Sequence, residues 1–448
     1  MKQSWVLHVE NIGRIGSADV RIAPLLLFVG DNNSGKSYLM SILWGLLSQG
    51  KDLFSTKSAF AGKYLICEKW LQDHLGKRIV IDDTVAKIYI DWFNELLKIN
   101  KKDFLLRIFN HAVSSSAIEI RDFQIQKDLV VLFGDNLRYK FSESKGYIKI
   151  PAKEEYQNED LRRMNVYICW NLLMGGIAAP IFAPVSRGRR IGEPVYLPTS
   201  RTGFMLTYSQ LLERSIEMNF SGMEAIDAGK LTLPYVDFLQ LITKFEQKNK
   251  LRKDYQDLVD FLEQKMVDGD FRIKKAMLPK FTYKPQSSEK DMPLHITSSV
   301  VTELAPLLML LQSNIDFKTI IIEEPEAHLH PSLQKMMSRF IIRLMNSGKT
   351  VWITTHSDII LQQLNNMIKL KNNKNCIELM KEFSYDDMDL LEYKKVGVYQ
   401  FSRNKTSGKT DVTELMSGKY GFEVPTFNDA LEELLNEVYH LQEDDSDD

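Results

Sequence analysis

Apolar positions fall into two clearly patterned regions separated by a long stretch of mixed pattern. Residues 4–9 and 18–22 alternate apolar and polar side chains on either side of a turn at Gly13–Gly16, the period-2 signature of paired strands. Leu25–Val29 is instead an unbroken apolar run, as expected of a strand covered on both faces. A glycine-containing loop leads from it into the helix-periodic stretch Tyr38–Leu47. The same pattern returns late in the chain. Leu304–Leu311 reads as a helix, Thr319–Ile322 as a buried strand, 331–346 as a helix, 350–354 as a strand and 357–367 as a helix. Val396–Phe401 reads as a last strand and 427–441 as a closing helix. Strands alternating with helices predict an α/β fold, with 1–47 and 290–370 contributing to one parallel sheet.

The middle is harder to parse. Helical periodicity occurs at 63–75 and 85–98, and strand patterns at 129–133 and 146–150. Pro and Gly cluster over 178–203, with Arg187, Arg189 and Arg190 close together. A strand at Pro194–Leu197 runs into Pro198-Thr199-Ser200-Arg201-Thr202-Gly203. Residues 205–275 read as mainly helical and charged, without the successive heptads of a long coiled coil. The expected organisation is a split head formed by 1–50 and 290–442. Between its parts lie 51–203, a mixed remainder of head and insertion, and 204–289, a helical insertion; 443–448 is an acidic tail.

Bulk composition narrows the class without naming a function. The 448 residues are 44% apolar and 26% charged with a net charge of -2, so no overall positive charge announces nucleic acid. Cys67, Cys169 and Cys376 are far apart and in no metal-type spacing, which fits a reducing compartment. No run approaches the roughly 18 apolar residues of a membrane helix, and His8 and Glu10 interrupt the apolar start. A cytoplasmic chain without membrane contact is expected.

The chemistry sits at the ends of the apolar runs. Gly30-Asp31-Asn32-Asn33-Ser34-Gly35-Lys36-Ser37 fits G-x-x-x-x-G-K-[ST] between a strand and a helix. Glycines let backbone N–H groups turn toward phosphate oxygens, Lys36 reaches the β- and γ-phosphates, and the Ser37 hydroxyl ligates Mg²⁺. ATP and Mg²⁺ are the expected ligands. Ser-Gly-Lys-Thr recurs at 347–350 and 407–410, but Arg343 and Arg403 stand at the first-glycine position. Neither copy reads as following a buried strand, and Gly348 reads as a helix C-cap.

The strand Thr319–Ile322 ends in Glu323-Glu324-Pro325. Carboxylates at such a strand end arrive beside the ligand of an open α/β sheet. One, Glu323, is suited to hold Mg²⁺ directly or through water; the other, Glu324, to deprotonate the attacking water. A plain strand cap is the alternative. His356, after Val351–Thr355, can donate a hydrogen bond to a γ-phosphate when neutral. By itself it reads more readily as a capping or core residue; the order phosphate loop, acidic pair, histidine favours the phosphate contact. Two further histidines, His328 and His330, lack a third ligand at metal-type spacing.

In this order the segments VENIGRIGSADVRIAPLLLFVGDNNSGKS, IIIEEPEAHLHP and VWITTHSDIILQQL resemble ABC-type ATPases of the SMC, RecF and OLD branch, more closely the bacterial AAA-15/AAA-21 and OLD-type ATPases. VYLPTSRTG is similar to a segment of the same proteins to which the sequence assigns no role. The resemblance implies an ABC-type (RecA-like P-loop) head split by a mostly helical insertion, forming a homo-oligomer around ATP. It also implies a signature motif acting across subunits, for which Thr297–Leu304 is the candidate, with Ser298 or Ser299 meeting the γ-phosphate. Val300 stands where that motif has glycine. OLD relatives carry a TOPRIM nuclease, but Asp387-Met388-Asp389 follows a charged stretch and reads as a solvated acidic loop. The resemblance therefore implies an ATPase subunit of an anti-phage defence system, as in PARIS-, Septu- or retron-type assemblies, with a separately encoded TOPRIM or HNH nuclease or toxin. The alternative is a RecF-like repair ATPase clamping DNA, for which Arg162, Arg163, Arg187, Arg189, Arg190 and the lysines of 248–253 are the candidate basic face.

Overall fold

The computed structural model describes residues 3–125, 129–134, 138–142, 144–186, 188–208, 210, 231–274, 279–404, 406–423 and 435–441. Nine strands form the main sheet: β1 (Gln3–Ile12), β2 (Ile15–Arg21), β3 (Leu25–Gly30), β4 (Ala117–Ile125), β5 (Val195–Leu197), β6 (Thr319–Glu323), β7 (Thr350–Thr355), β8 (Val396–Arg403) and β9 (Thr410–Leu415). Their order is β5-β6-β7-β3-β8-β9-β2-β1-β4. β5, β6, β7, β3 and β8 run parallel in succession. The remainder is not purely parallel: β1 and β2 form the antiparallel pair expected around their turn, β1 also pairs antiparallel with β4, and β8 with β9. Asn11 and Gly13 supply the left-handed residues of that tight turn, at φ 51° and 54°.

Among the described residues the longer helices are α1 (Lys36–Gln49), α2 (Tyr64–Asp73), α3 (Asp83–Phe109), α4 (Asn158–Met174), α5 (Leu233–Ile242), α6 (Lys253–Leu262), α7 (Ser299–Gln312), α8 (Pro331–Asn346) and α9 (Asp358–Lys371). Side chains alternate across a strand, so each apolar run feeds two cores. Leu26 and Phe28 face one layer, with Trp44 of α1, Phe93 of α3 and Trp170 of α4. Leu25, Leu27 and Val29 face the other, with Phe238 of α5, Leu258 of α6, Leu308 of α7 and Phe340 of α8. The stretches 51–203 and 204–289 thus each contribute side chains to a core that the sheet also lines.

Other parts differ from the sequence expectation. Within 205–275, residues 211–230 lie outside the described residues; the rest holds α5 and α6 and then a strand, Gly269–Lys274, paired with Lys280–Pro285. Its buried Phe271 and Ile273 alternate with Asp270 and Arg272, a period-2 pattern that overrides the helical reading. The Ser-Gly-Lys-Thr copy at 407–410 does follow a buried strand, β8, but it closes the β8–β9 hairpin. The copy at 347–350 sits just past α8, with Gly348 at φ 91°. Of the closing helix, 435–441 is helical and 424–434 lies outside the described residues.

The acidic loop is exposed at Asp386 and Asp387, as expected, but not at Asp389. Asp389 is fully buried between Arg339 (Nη2 to Oδ2, 2.8 Å) and Arg343 (Nε to Oδ1, 2.8 Å). Burial opposes its charge, yet the two guanidinium groups hold its carboxyl below the ordinary range. Asp389→Ala leaves two arginines of α8 without their shared acid and is expected to cost about 3–5 kcal/mol. Urea unfolding monitored by circular dichroism checks this.

Candidate active site

Three neighbouring parallel strands end side by side, and the register fixes what meets there. Glu323 pairs with Thr354 on β7, and Thr355 pairs with Val29 on β3. The turn after β6, the turn after β7 and the loop after β3 therefore emerge together at the carboxyl edge, bringing Glu324, His356 and residues 30–37 into one place.

The loop after β3 needs its glycines. Gly30 has φ 118°, and a Cβ there would lie 2.2 Å from the Phe401 carbonyl oxygen of β8. Gly35 has φ 100° at the N-cap of α1, where a Cβ would meet Ile15 at 2.9 Å. Asn33 is also left-handed, at φ 58°. Asp31 ties the loop to β8, its amide donating to the Phe401 carbonyl (3.2 Å) and its Oδ2 accepting from the Arg403 amide (3.1 Å). Among the described residues, no acceptor meets the amides of Asn32, Asn33, Ser34, Gly35, Lys36 or Ser37. They are successive donors at a helix N-terminus, the arrangement that binds phosphate. Lys36 Nζ lies over the loop, donating to the carbonyls of Gly30 (3.0 Å) and Asp31 (2.7 Å). Burial pushes its ammonium down to about 8, against the attraction of Glu324 and Asp31. Ser34 is buried beneath it, while Asn32 and Ser37 are exposed.

Opposite the loop, the two acids occupy different environments. Glu323 is buried, and its carboxylate accepts from Tyr196 Oη on Oε1 (2.8 Å) and from the Thr199 amide (3.2 Å), Thr199 Oγ1 (3.3 Å) and Tyr235 Oη (3.4 Å) on Oε2. Glu324 is half-buried in a left-handed backbone (φ 43°), with its amide donating to the Thr354 carbonyl (2.9 Å). A non-glycine residue so placed costs about 1–3 kcal/mol and persists only where its surroundings fix it. Burial first and Glu323 second raise the Glu324 carboxyl above its ordinary value. His356 Nε2 lies 3.8 Å from Glu324 Oε1. Burial, reinforced by Lys36, lowers the imidazole to about 4, so it is neutral at pH 7.

Ser298 and Ser299 lie at the start of α7. Ser298 caps α7, its Oγ accepting from the Val301 amide (3.4 Å), and both serines are exposed. Among the described residues no hydrogen bond joins either to the loop, Glu324 or His356. Val300 packs against the second core. His330 caps α8, and no group of three or more His, Cys, Asp or Glu among the described residues could hold a metal ion.

Several residues of the site have no role in the sequence reading. Glu326 Oε1 accepts from Thr355 Oγ1 (2.8 Å) and the His356 amide (2.6 Å), fixing the turn that carries the histidine. The VYLPTSRTG segment wraps the end of β6: Tyr196 and Thr199 hold Glu323, and Arg201 reaches the carbonyls of both acids. A signal was present in Glu303, a lone charge in the apolar run of α7, because a charge so buried needs a partner; its partner is Arg201.

Part of the candidate basic face is engaged within the chain, while Arg162, Arg163, Lys250 and Lys253 are exposed. Arg189 is buried and binds both oxygens of Asp237 and the Pro194 carbonyl. Arg162 and Arg163 stack over Phe60 and Phe182. Arg190 donates to the Ile181 carbonyl (3.2 Å), and Arg187 lies outside the described residues.

Among the described residues no helix is long and apolar enough to cross a membrane. No curated protein matches the chain. Three solved structures align along most of its length. The SMC head bound to the C-winged helix domain of ScpA is 14% identical, covering 92% of this chain and 97% of that one, at a TM-score of 0.37. The SMC head domain from Thermotoga maritima is 10% identical (93% and 98% covered, TM-score 0.32). The Pyrococcus furiosus Smc head with extended coiled coil, bound to the C-terminal domain of ScpA, is 12% identical (97% and 100%, TM-score 0.35). Residues 204–361 match the family model described as AAA ATPase domain, a stretch that holds Glu303, Glu323, Glu324 and His356 but begins after the phosphate-type loop. The chain is an α/β protein carrying ATPase-domain sequence.

Proposed function

We propose that the chain binds ATP with Mg²⁺ at Gly30–Ser37 and hydrolyses it. The observation that carries this reading is the alignment of three parallel strand ends, which sets Lys36, Glu324 and His356 around one row of amides. The amides of residues 32–37 meet phosphate oxygens, and the Lys36 ammonium balances the β- and γ-charges. Glu324 takes the proton of the attacking water; a carboxyl raised above its ordinary value is the stronger base. Neutral His356 donates to the γ-phosphate. Mg²⁺, when bound, neutralises charge developing on the phosphate oxygens. Its donors would be Ser37, exposed on the first turn of α1, and Glu323, whose Oε1 accepts one hydrogen bond and which would hold the ion directly or through water.

The wider role rests on the sequence resemblance. The chain acts as the ATP-binding sensor and scaffold of an anti-phage defence complex, working on a separately encoded nuclease or toxin. ATP draws two copies together through Ser298 and Ser299. Light scattering on Glu324→Gln is expected to give a dimer or larger even-numbered oligomer with ATP and Mg²⁺; a monomer at micromolar concentration under all conditions contradicts the assembly. Co-expression with the neighbouring gene is expected to yield a co-purifying pair that restricts phage plating, with restriction abolished by Lys36→Ala. Restriction unchanged in that variant contradicts the defence role.

A further inference from the structure

Arg201 and Glu303 form an ion pair in the interior, each 1% exposed. Desolvating two charges costs several kcal/mol per ion, and apolar residues of similar volume often serve stability as well or better. The surroundings are apolar enough for that, with Leu304, Leu307 and Leu308 beside Glu303 in α7. What the pair does have is reach in two directions. Arg201 Nη1 donates to the carbonyls of Pro198 (3.0 Å) and Glu323 (2.6 Å), and Nη2 to that of Glu324 (3.0 Å). The rigid planar fork thus grips the backbone where β6 turns into the left-handed Glu324. On the other side Glu303, which also accepts from Thr202, sits one turn inside the helix whose exposed start is Ser298–Ser299.

We propose that Arg201 and Glu303 are positioning residues that tie the placement of Glu324 to the seat of the first turn of α7. A second copy touching Ser298–Ser299 then regulates turnover through them. The proposal rests on the ATPase reading. A shift of α7 moves Glu303, the fork follows, and the carbonyls of Glu323 and Glu324 move with it. Because the backbone at Glu324 holds its conformation only through its surroundings, a loosened grip displaces the carboxylate.

A double-mutant cycle separates this role from a structural one. The variants are Arg201→Met, Glu303→Leu, the pair together, and the nearly isosteric Glu303→Gln. Each is measured for ATP affinity, kcat by phosphate release, and Tm, alongside wild type and Lys36→Ala. Every variant is expected to lower kcat by about 100-fold, the effect of a displacement near 1 Å, with ATP affinity within about threefold of wild type. The single apolar substitutions lower Tm, and the double variant recovers part of it, since neither Arg201 nor Glu303 is then left unpaired, while the carbonyls of Pro198, Glu323 and Glu324 still lack their donor. Its kcat stays low. Recovery of kcat together with Tm, or wild-type kcat in Glu303→Gln, overturns the relay and leaves a structural ion pair. Wild-type turnover no faster than Lys36→Ala sinks the ATPase reading instead, and the relay with it.

Discussion

Glu324→Gln is expected to bind ATP with Mg²⁺ close to wild-type affinity while losing turnover by about 10²–10⁴-fold, the contribution of a positioned general base. The amide keeps the shape of the side chain but cannot accept the proton of the attacking water. The environment sharpens the expectation. Glu323 is held by Tyr196, Thr199 and Tyr235, so it is not free to take over the role. His356 is neutral and its Nε2 lies 3.8 Å from the carboxyl, where it serves as donor. Nucleotide binding by fluorescence and phosphate release on the same sample check both halves. Turnover retained within a few-fold removes Glu324 from the reaction.

Lys36→Ala is expected to lose ATP binding. Charge-assisted hydrogen bonds contribute about 1.5–3 kcal/mol each, so losing the contacts to the β- and γ-phosphates weakens affinity on the order of 100-fold or more. The folded chain itself should tolerate the change, because burial already works against the Lys36 charge and the lost bonds run only to the carbonyls of Gly30 and Asp31 and, at 3.5 Å, to the Ser34 hydroxyl. A saturating ligand at 100 times its Kd stabilises the folded state by about 2.7 kcal/mol. Wild type should therefore melt higher with ATP and Mg²⁺, and Lys36→Ala should melt at the same temperature with and without them. Equal ATP-dependent shifts in both proteins contradict the loop's assignment.

The parts of this site that sequence displays are those whose cause is local. An unbroken apolar run followed by glycine and a helical stretch specifies β3, its loop and α1, because each step depends on neighbours a few residues away. The same holds for β6 with its two acids and for α8, which spans the expected 331–346. Edge elements were less legible. β9 carries Val412 as its one apolar contact with the first core among polar neighbours, and its pairing with β8 follows from a hairpin that looked like a failed phosphate motif. The pairing of β1 with β4 was not legible for a related reason: alternation predicts strands, not their partners. The clamp on β6 is tertiary in origin. Arg201 meets backbone carbonyls more than a hundred positions later, and no periodicity encodes that contact. Asp389 was misread because acidic neighbours suggested solvent, whereas two arginines one helical turn apart on α8 were waiting to enclose it.

The central claim is that the strand ends assemble a centre that hydrolyses ATP. Phosphate release from ATP by the purified full chain, with Mg²⁺ and after its chelation, tests this most directly when Lys36→Ala is run in parallel. The account predicts saturable release from the wild type that requires Mg²⁺ and falls to background in the variant. Release that is indifferent to both, or no release above the Lys36→Ala background, contradicts it.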